Sequence, residues 1–226
     1  MAHQTDQKPD PQDGFANQRQ EILRESLKIA PFEGWNRNSL DNAATAAGVE
    51  KTAISTIFPH GVADLMRFWS HQLDEQMTSR MMESDIEAMK IREKVETGVL
   101  IRLETLSSNR EAARRAAGWL AIPPNHFLAS RLTWNTADAI WRAIGDKSTD
   151  FNYYSKRTIL SGVWTSTLAR WFADDTEDQG PTRDFLAARI ENVMQFEKAK
   201  SKAKKLGLNP AAPIEFLARL RYPMGK

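Results

Sequence analysis

The chain has no cysteine, which excludes disulfides, thiolate metal sites and cysteine nucleophiles and fits a reducing compartment. Its four histidines, His3, His60, His71 and His126, stand far apart, and neither a Glu-x-x-His pair of the di-iron bundle type nor a His-Glu-x-x-His zinc pattern occurs. No phosphate-binding glycine loop and no dinucleotide fingerprint is present, so no cofactor and no enzymatic activity are expected. No apolar run approaches the roughly 20 residues that cross a bilayer. The polar opening, Met1 to Gly14, lacks the apolar core of a signal peptide and the arginines of a mitochondrial targeting segment, and is expected as a disordered tail. Alternation at period two is missing as well, which leaves little room for strands.

What is present is helical periodicity. Leu160, Val163, Trp164, Thr167, Leu168, Trp171 and Phe172 form an i, i+3, i+4, i+7 stripe. With 226 residues and 41% hydrophobic content, the chain can bury a sizeable core. The pattern predicts an all-α fold with helices over 16–30, 39–47, 50–57, 61–80, 85–107, 109–121, 124–144, 151–173, 181–205 and 213–221. Gly145 reads as a helix stop, with Ser148, Thr149 or Asp150 capping the helix that follows. Residues 174–180 read as an acidic loop before a helix opened by Pro181. The expected division is a tail over 1–14, an N-terminal subdomain over 15–70, a helical subdomain over 71–206 and a C-terminal tail over 207–226.

Leu40, Ala43, Ala44 and Ala47, then Gly48-Val49, Ile54 and Phe58-Pro59, resemble the helix-turn-helix of TetR-type repressors. That resemblance implies a TetR-like bundle and supplies a rival function, a transcriptional regulator sensing a small apolar ligand. Charge argues against DNA as a partner. Between Asn17 and Ser70 six cations meet six anions, whereas phosphate binding needs a basic face. Ser55 stands where the repressor pattern has a tyrosine, and Gly61 where it has a lysine. The helix-turn-helix is therefore read as degenerate.

The densest functional stretch is Gly145-Asp146-Lys147-Ser148-Thr149-Asp150-Phe151-Asn152-Tyr153-Tyr154-Ser155-Lys156-Arg157. On spacing alone it is a helix junction whose Phe151 and Tyr154 fold into the core. With Ala139-Ile140-Trp141 before it and Gly118-Trp119-Leu120-Ala121-Ile122-Pro123-Pro124-Asn125 further upstream, it resembles the Coq-nine family, lipid-binding accessory proteins of ubiquinone biosynthesis. The likeness runs from about Ala30 to Val193.

The resemblance implies a non-enzymatic protein, expected as a homodimer, that takes an isoprenoid quinone precursor from the membrane and presents it to a demethoxyubiquinone hydroxylase. It places the partner surface at Ile140, Trp141, Asp150, Tyr153, Tyr154 and Arg157; the family often has methionine at the first of these and tryptophan at the fourth. Five of the seven tryptophans lie in the C-terminal half. Trp119, Trp134, Trp164 and Trp171, together with Phe127, Leu128, Leu132, Leu160 and Leu168, can line an apolar chamber between helices. A filled core and a lipid pocket share this composition, and the family resemblance selects the pocket.

From Phe196 to Lys226 eight cations face two anions, a net of +6, which leaves −4 for the rest of a chain whose total is +2. Within this basic end Ile214, Phe216, Leu217 and Leu220 fall on an arc of roughly 160° if residues 213–222 are helical, with Arg221 beside it. Such a segment suits an anionic bilayer. The expected location is the bacterial cytoplasm, peripheral to the inner membrane.

Overall fold

A computed structural model describes residues 11–205, and their side chains except at 11–14, 150–151 and 197–205. Among the described residues the secondary structure is helical throughout, as the periodicity predicts: α1 Pro11–Glu33, α2 Arg37–Ala46, a 3-10 turn Lys51–Ala53, α3 Ile54–Ile57, α4 Val62–Glu83, α5 Ile91–Ser107, α6 Arg110–Leu120, α7 His126–Ala143, α8 Asp150–Phe172 and α9 Gly180–Lys205. The expected helix 213–221 and its apolar arc lie outside the described residues.

Two glycine stops work as the sequence suggests. Gly48 (φ +70°) ends α2, with its own N–H donating to the Thr45 carbonyl and that of Val49 to the Ala44 carbonyl. Gly145 (φ +77°) ends α7 in the same way, through Gly145 N–H to Arg142 and Asp146 N–H to Trp141. Both are Schellman turns, in which a left-handed residue lets two terminal carbonyls find donors. The second one delivers Asp146 to the top of α8. At the other end of α2, Asn36 and Ser39 cap each other's backbone N–H groups.

The helix-turn-helix is short in its second part, a 3-10 turn and a single α turn over 51–57. It is also joined firmly to the rest. Trp35 lies 5.5 Å from Trp69 of α4 and donates its indole N–H to the Ala112 carbonyl of α6 at 2.9 Å. The boundary expected at 70/71 falls inside the unbroken helix α4. A single core, including Leu40, Leu65, Met77, Val99, Ile140 and Trp171, continues across it. Each such aliphatic side chain contributes about 2 kcal/mol by leaving water.

Two further boundaries moved. α1 extends to Pro11, into the expected tail, and α5 starts at Ile91 instead of 85. Before α5, residues 85–90 form a turn in which Ile86 is buried and Met89 packs on the core, and the Lys90 N–H is capped by Glu93.

Candidate ligand chamber and the signature face

Helices α4 to α8 enclose a cavity of about 370 Å³, within the range of small-molecule sites. The space exists because its α6 wall is built from Ala113, Ala116 and Ala117, a helical stripe of side chains too short to fill it. Facing them are Leu73 and Trp69 of α4, Leu106 of α5, Leu132 of α7 and Trp164 and Leu168 of α8. The rim is exposed, at Ala121, His126, Ser130 and Thr165. Away from the rim the lining side chains are buried, among them Leu73, Leu106 and Trp164.

Two of the buried lining residues are polar. Arg102, 4% exposed, and Thr136, 1% exposed, both line the cavity. Behind them, Asp74 Oδ1 accepts from Arg102 Nε and from Thr136 Oγ1, each at 2.8 Å. The guanidinium also lies 5.4 Å from the centre of the Trp164 ring. Burial pushes the Asp74 carboxyl up, opposed by the Arg102 charge and the hydrogen bonds from Arg102 and Thr136. Burial pushes the guanidinium down, opposed by Asp74.

Of the residues expected to line the chamber, Leu132, Trp164 and Leu168 do so. The others are placed elsewhere. Phe127 is 90% exposed, next in sequence to the rim residue His126. Trp134 points to the signature, 6.4 Å from Tyr153 and 6.2 Å from Tyr154. Leu160 lines a second cavity of about 290 Å³ between α5, α8 and α9, shared with Trp141 and Lys156. Leu128 is buried, and Trp119, in the last turn of α6, packs on the core. Trp171 is fully buried, donating to Gln179 Oε1 with Arg110 5.2 Å from its ring. The apolar stripe of α8 is thus shared among a core and two cavities.

Among the chamber residues not anticipated are Trp69, Leu73, Leu106, Arg102, Thr136 and the α6 alanines. A signal for Arg102 was present: it continues the Val95, Gly98, Val99, Leu103, Leu106 face of α5, where a cation is out of place.

The signature is an ionic knot more than an open face. Arg157, 2% exposed, donates through Nε to Asp138 and through Nη1 to Asp146 at 3.4 Å and to the Tyr153 carbonyl at 3.2 Å. Its guanidinium stands 3.5 Å from the Tyr153 ring centre. Lys156 Nζ donates to Asp146 at 2.7 Å and to Ser148 Oγ at 2.6 Å, and lies over the Trp141 ring at 5.0 Å. Trp141 in turn donates its indole N–H to the Lys156 carbonyl. Burial works against the Asp146 charge, but hydrogen bonds from Lys156 and Ser148 outweigh it and hold the carboxyl below its usual value.

Two residues of the expected partner surface are buried in this arrangement. Ile140 is fully buried, packed toward Gly98 of α5, and Arg157 is nearly so, tied to Asp138 of α7 and to Asp146. Trp141 and Tyr153 are half-buried, and Tyr154 is 62% exposed. The Asp150 side chain lies outside the described ones. Ile214, Phe216, Leu217, Leu220 and Arg221 lie outside the described residues. Among the described residues no group of three or more His, Asp and Glu forms a candidate metal site, and no helix is long and apolar enough to cross a membrane.

Comparison with known proteins bears on the same region. Residues 128–197 match the family model COQ9, a span holding most of α7, all of α8 and the signature. The rat protein named "Ubiquinone biosynthesis protein COQ9, mitochondrial" is 26% identical over 213 residues, covering 90% of this chain and 68% of the relative. Its human counterpart is 26% identical over 214 residues, covering 90% and 67%. A Dictyostelium discoideum protein named "Probable ubiquinone biosynthesis protein coq9, mitochondrial" is 24% identical over 186 residues, covering 80% and 61%. The chain spans about two thirds of the length of these relatives. Among solved structures, the TetR transcriptional regulator from Nitrosomonas europaea superposes with a TM-score of 0.62 at 18% identity, over 76% of this chain and 95% of that one. The chain therefore matches the COQ9 family model over residues 128–197 on a TetR-like fold, and its similarity to COQ9 proteins holds along most of its length.

Proposed function

We propose that this chain is a non-enzymatic accessory protein of ubiquinone biosynthesis that binds an isoprenoid quinone precursor and presents it to a demethoxyubiquinone hydroxylase at a membrane. The observation that carries the reading is the apolar chamber of about 370 Å³, two of whose walls, α7 and α8, belong to the COQ9 domain. Such a volume holds a ring and the first part of a tail, so a longer polyprenyl chain leaves through the rim. Burial of those atoms offsets the cost of lifting the ring out of the bilayer.

The rim supports a membrane-facing mouth. Ile122 and Phe127 are 57% and 90% exposed, and each adjoins a rim residue, Ala121 and His126 respectively. Arg131, one turn beyond Phe127, is exposed as well. An exposed apolar pair beside a cation favours the headgroup boundary of an anionic bilayer. The hydroxylase contact is proposed at Tyr154, Tyr153, Trp134 and the accessible part of Trp141. Aromatics are frequent energetic anchors of interfaces, and the ionic knot beneath fixes their positions. The protein acts as a homodimer at the bacterial inner membrane, whereas the relatives are named as mitochondrial.

The test is mass spectrometry of organic extract from protein purified without detergent, beside a variant lacking residues 207–226. A co-purifying polyprenyl quinone or other isoprenoid is the expected result. A clean extract from folded protein removes the lipid reading and turns attention to an apolar-effector regulator.

A further inference from the structure

The buried part of the chamber wall contains a feature that an isoprenoid tail does not need. Three side chains, Asp74, Arg102 and Thr136, form a hydrogen-bonded unit at a mostly apolar lining. Asp74 stands behind the wall, while Arg102 and Thr136 are part of it. The guanidinium has five N–H donors. Its bonds to protein among the described residues run from Nε to Asp74 and from Nη1 to Thr105 Oγ1 at the long distance of 3.5 Å. Arg102 lines the cavity, and these two bonds leave further guanidinium donors without a protein partner among the described residues. A pocket for hydrocarbon alone would be better served by apolar side chains here, since a buried ion pair is costly to desolvate.

We propose that Arg102, positioned by Asp74 and assisted by Thr136, is the head-group pole of the chamber and selects ligands whose buried end carries an uncharged oxygen acceptor, such as a ring carbonyl or ether. The inference rests on the chamber being a lipid site. The selection of an uncharged oxygen follows from charge balance. Asp74 neutralises Arg102, so a carboxylate at the same place would leave a net negative charge in a low-dielectric enclosure, where unpaired charge is heavily penalised. A carbonyl oxygen accepts from the guanidinium without adding charge. Trp164, whose ring lies 5.4 Å from the guanidinium, offers a flat apolar surface against which a ring at that pole can rest. The tail then runs past Leu132 and Leu168 toward the exposed rim at His126 and Thr165.

The experiment compares three probes with the same decyl tail: decylbenzoquinone, decylbenzene and 4-decylbenzoate. Affinities for the full chain are read by displacement of an apolar dye. The quinone is expected to bind on the order of tenfold more tightly than either other probe, the scale of a hydrogen bond to a charged donor. In the double variant Asp74→Leu/Arg102→Met, which replaces the pair by apolar side chains, the quinone is expected to lose that advantage while decylbenzene retains its affinity. Should the double variant fail to fold, Arg102→Lys keeps the charge and removes the planar fork, and is expected to weaken the quinone alone. Equal binding of all three probes to the unaltered protein, tightest binding of the benzoate, or an unchanged preference in the folded variant would each overturn the head-group pole. No binding of any probe would overturn the lipid chamber itself and this inference with it.

Discussion

At the residue scale, Arg157 separates two uses of one side chain. The resemblance implies that it anchors a partner, yet it is 2% exposed and holds Asp138 and Asp146 together at the junction of α7 and α8. Removing one member of a buried ionic group strands the others, a loss of about 3 kcal/mol. Arg157→Ala is therefore expected to lower stability by about that amount in urea unfolding, even with no partner present. A cost under about 1 kcal/mol would return Arg157 to the surface. Gly98 is constrained by packing: a Cβ there would meet Ile140 Cγ2 at 3.0 Å and Met81 Sδ at 3.1 Å. Gly98→Ala is expected to cost about 1 to 3 kcal/mol, checked by thermal unfolding, because fully buried Ile140 has no free direction to move. Residue types revealed which side chains were apolar or aromatic, but not which cavity they faced. Phe127 and Trp164 have similar chemistry in the sequence; one stands in solvent and the other lines the chamber. What separates them is the rotation of their helices about their axes, fixed by contacts far away in the chain.

The elements themselves were more legible, because their signals are local. Gly48 and Gly145 each mark a helix end by permitting a left-handed residue, and the period of α8 is readable from its stripe. The late start of α5 was not readable. Ile86 and Met89 continue a helical spacing but are buried from a turn, a tertiary preference that overrides the local pattern. The α8–α9 connection shows how an acidic loop can be structural. Asp174, buried, accepts from Thr176 N–H and Oγ1 at 3.2 and 2.6 Å and from Thr182 N–H and Oγ1 at 2.9 and 2.6 Å, fastening the loop to the first turn of α9. The hydroxyls of Thr176 and Thr182 are the main cause that holds its carboxyl far below the usual range. A carboxylate depressed on folding contributes stability that is present above its unfolded value, about 3.9, and is lost as pH falls toward the folded one. Asp174→Asn is accordingly expected to lower the urea midpoint at pH 6 and to flatten its decline between about pH 4 and pH 2. Asp146, also held low, preserves part of that decline. Equal acid slopes in the two proteins would place the titrating groups elsewhere.

At the scale of the whole molecule, charge and apolar exposure are distributed unevenly. The N-terminal segment is neutral and its cations are mostly occupied: Arg24 and Lys28 pair with Glu25, Arg37 with Asp41 and Arg67 with Asp64, while Arg19 donates to the Ile57 carbonyl. It offers a phosphate backbone little, although its fold is that of a repressor. The basic excess lies from Phe196 onward at +6, of which residues 207–226 contribute Arg219, Arg221 and Lys226 against Glu215, a net of +2. The chamber rim adds exposed Phe127 and Ile122 at another place on the surface. Two regions then share the proposed membrane contact, and they should fail differently. Deleting residues 207–226 removes apolar side chains and charge together, so association with anionic liposomes is expected to fall and its salt dependence to weaken. Phe127→Ser with Ile122→Ser removes apolar area alone, so association is expected to fall several-fold with the salt dependence preserved. Sedimentation with anionic vesicles at two salt concentrations distinguishes these. Unchanged association in the deletion would remove the tail from the membrane contact, and unchanged association in the serine variant would remove the rim, leaving the chamber to load its lipid from a mouth that faces water.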